Sequence, residues 1–184
     1  MNFIKNLFII IQECIANERI NKCEVKKLLK EKLEILEHQQ KFIRFTQKLE
    51  ILDEHILRKP IDKGKWSVIE IIGHFYAWDE FVLQYRIPYL FKSEHLQKGP
   101  NTKDLNTQSA LLARSEDIEI TLKKCIRIRN ELFSQLSQIS DDNWLIELQI
   151  NQSKLTLYEY LKGLREHDVH HIKQIKSALK LDVY

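Results

Sequence analysis

The stretch TLYEYLKGLREHDVHHIKQIKSAL, residues 156–179, carries a complete helix signal and three of the chain's seven histidines. Thr156 followed three residues later by Glu159 is a capping-box pattern, and Leu155 with Tyr160 supplies the apolar contact that fixes the entry of the chain, so a helix starts here. Leu157, Tyr160, Leu161, Leu164, Ile172, Ile175, Ala178 and Leu179 fall on one side of a helical wheel, which predicts an amphipathic helix ending near Leu179. A helix advances about 100° per residue, so His167 and His171 share a face while His170 falls with Glu166 and Lys173 on the charged side. His171 lies inside the apolar stripe and His167 on its margin.

The same start signal occurs in KWSVIEII, where Ser67 and Glu70 form the box and Trp66 with Ile71 the staple. This helix is expected to run to about Arg86, before the restriction that Pro88 places on its neighbour. Ile71, Phe75, Trp78, Val82 and Tyr85 make its apolar stripe, with His74 at the edge. Upstream, a helical rhythm of Leu28, Leu29, Leu33, Leu36, Phe42, Phe45 and Leu49 spans about Glu24 to Leu52, and Pro60 and Gly64 force a loop after it. A third helix is expected from roughly Asn106 to Ile139. WLIELQINQSKLTLY, residues 144–158, alternates polar and apolar residues around Asn151 and Gln152, which suits a small hairpin or an extended crossover.

Four glycines and three prolines in 184 residues starve the chain of turns, and 43% hydrophobic residues suffice for one core. These features predict an all-α fold: a four-helix bundle with long crossover connections over residues 24–184, preceded by an amphipathic helical arm over residues 1–23. Basic and acidic residues, 29 and 26, are spread along the chain without a basic block, which excludes a nucleic-acid partner. Cys14, Cys23 and Cys125 are odd in number and lack CxxC spacing, so a reducing, cytoplasmic setting fits. The N-terminal apolar run is broken by Gln12 and Glu13 and lacks a small-residue cleavage site, so it reads as an arm packed on the domain or a partner, with no membrane span.

His74 and the pair His167 and His171 lean from two helices toward one core. One reading makes each a core-edge histidine satisfied by a neighbour or by water. The other makes them ligands of a shared divalent cation, because burying an unpaired polar group costs about 1–3 kcal/mol while a bound metal returns far more. HDVHH also approaches the HExxH pattern of zinc proteases with Asp168 in place of glutamate, but no substrate-binding sheet accompanies it. Asp168 turns toward the stripe and suits either an acceptor for a ligand's second N–H or an interhelical hydrogen bond. Glu70 is explained by its capping box and is not counted as a ligand.

Taken together, GKWSVIEIIGHFYAWDE (residues 64–80) and LTLYEYLKGLREHDVHHIKQI (residues 155–175) resemble the DinB-like superfamily, which takes in YfiT-type metal-dependent hydrolases and bacillithiol transferases. The resemblance covers about Glu24 to the C-terminus. It implies a four-helix bundle holding one divalent metal ion, zinc or nickel, on His74, His167 and His171. It further implies a metal-dependent enzyme acting on a small-molecule substrate: a transferase that conjugates a low-molecular-weight thiol cosubstrate to electrophiles in detoxification or stress response. A metal-dependent hydrolase, and a non-catalytic metal-binding bundle acting through dimerisation or a partner, are the alternatives, and the reading allows a homodimer. Three neutral imidazoles leave a metal position open, where a thiol or water would lose its proton readily.

Overall fold

The computed structural model describes residues 2–92, 96, 98–150 and 153–181, with side chains from residue 26 onward. No glycine or proline precedes Pro60, and nothing interrupts the first helix: α1 runs from Asn2 to Leu49. The boundary expected at residue 23 falls inside this helix, and the side chains of the arm lie outside the described residues. Leu28, Ile35, Phe42 and Leu49 are buried at seven-residue intervals, so a single stripe faces the bundle. Leu29 and Leu33, expected in the apolar rhythm, lie a step off that stripe and are 42% and 57% exposed.

A short helix, α2 (Glu54–Arg58), precedes a loop in which Pro60 bridges to Ser67 and Gly64 takes φ +71°, a left-handed turn that glycine makes without strain. The next helix, α3 (Val68–Tyr85), starts where its capping box predicts. The Ser67 hydroxyl accepts from the Glu70 N–H, and the Glu70 carboxylate accepts from the Ser67 N–H at 2.8 Å. Its outer end departs from expectation, because Tyr85 is 44% exposed rather than part of the buried stripe.

The third expected helix is two helices, α4 (Thr102–Ser115) and α5 (Ile118–Gln138). The chain turns extended at Glu116, and the Asp117 side chain accepts from the N–H groups of Glu119 and Ile120. An aspartate N-cap inside a polar run thus outweighs the continuous helical propensity around it. The expected hairpin is present as β1 (Glu147–Ile150) and β2 (Ser153–Thr156), paired antiparallel with Leu148 opposite Leu155. The last helix, α6 (Leu157–Leu179), begins at the Thr156–Glu159 capping box and ends at Lys180 in the left-handed region.

Helix α1 packs against α5 and α6, and α3 packs against the same two, so the pairs α1/α3 and α5/α6 lie across the diagonals of the bundle. That order requires crossovers over residues 50–67 and 139–156. Helix α4 lies outside, against α3, where a Cβ on Gly73 would sit 2.5 Å from Ala113 Cβ. The core divides into two apolar clusters. One holds Leu28, Ile35, Val82, Leu132 and Trp144, the other Phe42, Ile72, Phe75, Leu122 and Ile175. Among the described residues no helix is long and apolar enough to cross a membrane.

Candidate metal centre

His74 sits two turns into α3, where the capping box sets its rotation, and its imidazole lies 5.3 Å from the Trp66 ring and 4.7 Å from that of Phe75 and is 0% exposed. His167 and His171 come from successive turns of α6. Ring centroids are 5.0 Å apart for His74 and His167, 4.7 Å for His74 and His171, and 4.7 Å for His167 and His171, a nearly equilateral triangle. One nitrogen from each ring lies within 4.8 Å of the others. His74 is sealed, His171 half-buried and His167 exposed, so the triangle is closed at its base and open at one corner.

Hydrogen bonds decide which nitrogens are free. His74 Nδ1 lies 2.6 Å from the Ile71 carbonyl oxygen, which can only accept, so Nδ1 carries the proton and Nε2 presents a lone pair. His171 Nδ1 donates in the same way to Gln174 Oε1 at 2.8 Å and leaves its Nε2 free. His74 Nε2 and His167 Nε2 are 3.2 Å apart. Two nitrogens that share a tetrahedral zinc at about 2.0–2.1 Å are separated by roughly 3.3 Å, so the His74–His167 pair already stands at a ligand-to-ligand spacing. All three rings are held neutral. Burial pushes His74 down to about 3, and burial with neighbouring imidazoles lowers His171. Burial also lowers His167, an effect partly opposed by the Asp168 charge.

His170 stands apart from the triangle, exposed, with Nε2 3.1 Å from the Gln174 amide nitrogen. Gln174 therefore spans the two, accepting from His171 and donating to His170. Glu70 remains in its cap and also receives Arg114. Burial would raise its carboxyl, but the bonds from Ser67 and Arg114 outweigh that and hold it below the usual range.

Asp168 does not accept from any histidine of the triangle. Its Oδ2 receives His38 Nε2 at 2.9 Å and Arg129 NH1 at 2.7 Å, so the interhelical role is the one observed. Arg129 also donates to Gln39 Oε1 at 2.9 Å, and its Nε lies 2.7 Å from Asp79 Oδ2, an ion-pair contact too bent for a good hydrogen bond. These five residues come from all four bundle helices and form a buried polar layer next to the histidines. His38, Gln39, Asp79 and Arg129 were not singled out by the sequence reading. The available signal was polar residues inside apolar stripes, such as Arg129 between Ile128 and Leu132. Cys125 is buried nearby, and burial, reinforced by the Asp79 charge, pushes its thiol far above the ordinary range, which rules it out as a nucleophile.

Beside the triangle lies a cavity of about 270 Å³, walled by Phe75, Trp78, Val82 and Leu164 and bordered by His167. A metal held by the three histidines would thus adjoin a half-open, largely apolar space.

The sequence profile of the DinB superfamily matches residues 36–175, and the chain belongs to that superfamily. The fold superposes on YfiT from Bacillus subtilis, described as "a probable metal-dependent hydrolase with an unusual four-helix bundle topology". The match has a TM-score of 0.67 and 16% identity, over 81% of this chain and 86% of that one. It also superposes on a mycothiol-dependent maleylpyruvate isomerase with a TM-score of 0.59 and 13% identity, over 82% of this chain. The match spans 60% of the isomerase's length. At these identities the likeness is one of fold. Comparison with curated proteins at the level of sequence finds no match.

Proposed function

We propose that this DinB-superfamily protein is a metal-dependent enzyme whose single divalent cation, zinc or nickel, is held by His74, His167 and His171. The observation that carries the reading is the convergence of three neutral imidazoles, two with Nδ1 engaged elsewhere so that Nε2 is left free, beside a largely apolar cavity. Such an ion supplies Lewis acidity that lets a thiol or a water lose its proton near neutral pH.

The reaction we infer is transfer of a low-molecular-weight thiol to a small electrophile, in detoxification or stress response. The S–H proton passes to solvent through the open corner at His167, and the sulfur forms its new bond to the electrophile, displacing a leaving group or opening a strained ring. Cys125 is sealed in the core, so on this reading the reacting thiol is that of a cosubstrate. His74 and His171 act through their fixed tautomers, and Gln174 acts as a positioning residue for His171. A metal-dependent hydrolase, with water in place of the thiol, is the second reading, favoured by the description of YfiT.

A panel of thiols, bacillithiol and glutathione included, assayed against a general electrophile with and without added zinc or nickel, tests the proposal. Metal-dependent thiol consumption that disappears in His74→Ala supports it. Metal-dependent ester hydrolysis without thiol consumption replaces it with the hydrolase, and turnover unaffected by chelation overturns both.

A further inference from the structure

The cavity beside His167 has a wall whose charge is not balanced from within. Asp79 and Asp168 both line it, and both lean on one guanidinium, Arg129. Asp168 has the better share: its Oδ2 accepts from Arg129 at 2.7 Å and from His38 at 2.9 Å, and its Oδ1 accepts a longer bond from Arg129 at 3.5 Å. Asp79 has an ion-pair contact to Arg129 Nε at 2.7 Å, and among the described residues its Oδ2 is buried without a hydrogen-bond partner. Burial, reinforced by the Asp168 charge, pushes the Asp79 carboxyl up to about 7 although Arg129 acts against it.

Among the described residues no lysine or arginine lines this space. Its apolar walls are Phe75, Trp78, Val82 and Leu164. The Trp78 indole N–H donates to Asn106 Oδ1 at 2.8 Å, which fixes the amide and leaves its NH2 group as a donor at the rim. A dry apolar cavity of about 150 Å³ already admits a benzene ring. This one, at about 270 Å³, has room for a ring and a short polar tail.

We propose that this cavity binds a small molecule with an apolar body and an amine or hydroxyl end that meets Asp79, and that it selects against a carboxylate at that end. A protonated amine there gives Asp79 the charge and the hydrogen bond it lacks, whereas a carboxylate would face two acids across a low-dielectric space. The proposal rests on the reading of the histidine triangle as the reaction centre, because it names the kind of second substrate that would adjoin it. Binding in the cavity is nevertheless measurable without the metal.

Benzylamine, benzyl alcohol and benzoate share one ring and differ in charge, so they serve as probes of the full-length protein after chelation. Benzylamine is expected to bind at least tenfold more tightly than benzoate, and in Asp79→Asn its affinity falls to that of benzyl alcohol. Leu164→Trp, which fills the space, abolishes binding of all three. In spectra of the wild-type protein the Trp78 indole N–H signal shifts with benzylamine while that of Trp144, in the apolar core, does not, a readout that needs no variant. Equal binding of benzoate and benzylamine, a preference that survives in folded Asp79→Asn, or a Trp78 signal that stays put would each overturn the proposal. Metal uptake by the wild type, measured on reconstituted samples, tests the histidine triangle separately, so either idea can fail alone.

Discussion

His167 and Asp168 are neighbours on α6 and face different company. Asp168 enters a layer spanning four helices in which His38 and Arg129 give and Asp168 and Gln39 receive, with Asp79 held to Arg129 by an ion pair alone. His167 enters a group of three like residues, two of which already spend their protons on Ile71 and Gln174 and turn bare nitrogens toward each other. The first group is answered almost entirely by the protein itself. In the second, His74 Nε2 meets only another imidazole, His167 Nε2 at 3.2 Å, and the three rings offer nitrogens within 4.8 Å of one another. Burial of polar groups is tolerated when they are paired, and the proposed cation at the triangle would supply the partner that its three imidazoles do not give one another.

The sharpest way to break the contrast is to remove the hub of the matched layer. Arg129→Ala leaves two buried carboxylates without their cation, and loss of one partner of a buried pair costs about 3–5 kcal/mol. Urea unfolding of the metal-free variant should show a loss of that size, whereas His74→Ala, measured the same way, should change stability much less. Equal losses would mean that the triangle is as structural as the layer.

Acidification pulls the two groups in opposite directions. The triangle's histidines have folded values below the ordinary imidazole value, so their contribution is present above about pH 6.5 and is lost as pH falls. Asp79 has a folded value raised to about 7, so its contribution is present at low pH and is lost as pH rises through that value. Between pH 5 and 7 the two partly cancel in the metal-free wild type. Asp79→Asn removes the second term, and its stability should fall more steeply on going from pH 7 to pH 5, by up to roughly 1.4 kcal/mol per pH unit. An unchanged slope would place Asp79 as an ordinary ionised carboxylate.

Smaller effects sharpen the edge of the site. Gln174→Ala removes the acceptor that fixes the His171 tautomer, and loss of such a partner lowers metal affinity about 10–100-fold. Competition with a zinc indicator measures it. His170→Ala removes only the acceptor for the Gln174 amide on the exposed side, and the same titration should move by less than about threefold, under roughly 0.7 kcal/mol.

The triangle was legible in the sequence because each of its members announces its rotation. Capping boxes at Ser67 and Thr156 fix where α3 and α6 begin, and the four-residue spacing of His167 and His171 then sets their direction. The matched layer was not legible in the same way. His38, Gln39, Asp79 and Arg129 are single polar residues on three different helices, and only the register between helices brings them to Asp168. The break between α4 and α5 escaped for a local reason, since Asp117 is one acid among several polar residues and its capping role shows only in the backbone bonds it receives. The single-helix course of residues 2–49 was not read because the clear apolar rhythm begins only near Leu28, although no glycine or proline interrupts the helix before it.

The most direct measurement is metal stoichiometry on the wild type and four alanine variants, each loaded with zinc, desalted and analysed by mass spectrometry of the bound metal, with circular dichroism to confirm folding. The wild type and His170→Ala should retain one ion per chain, while folded His74→Ala, His167→Ala and His171→Ala should retain none or a small fraction. Retention by His167→Ala together with loss from His170→Ala, or no retention by the wild type at all, would contradict the assignment of these three histidines as the metal centre.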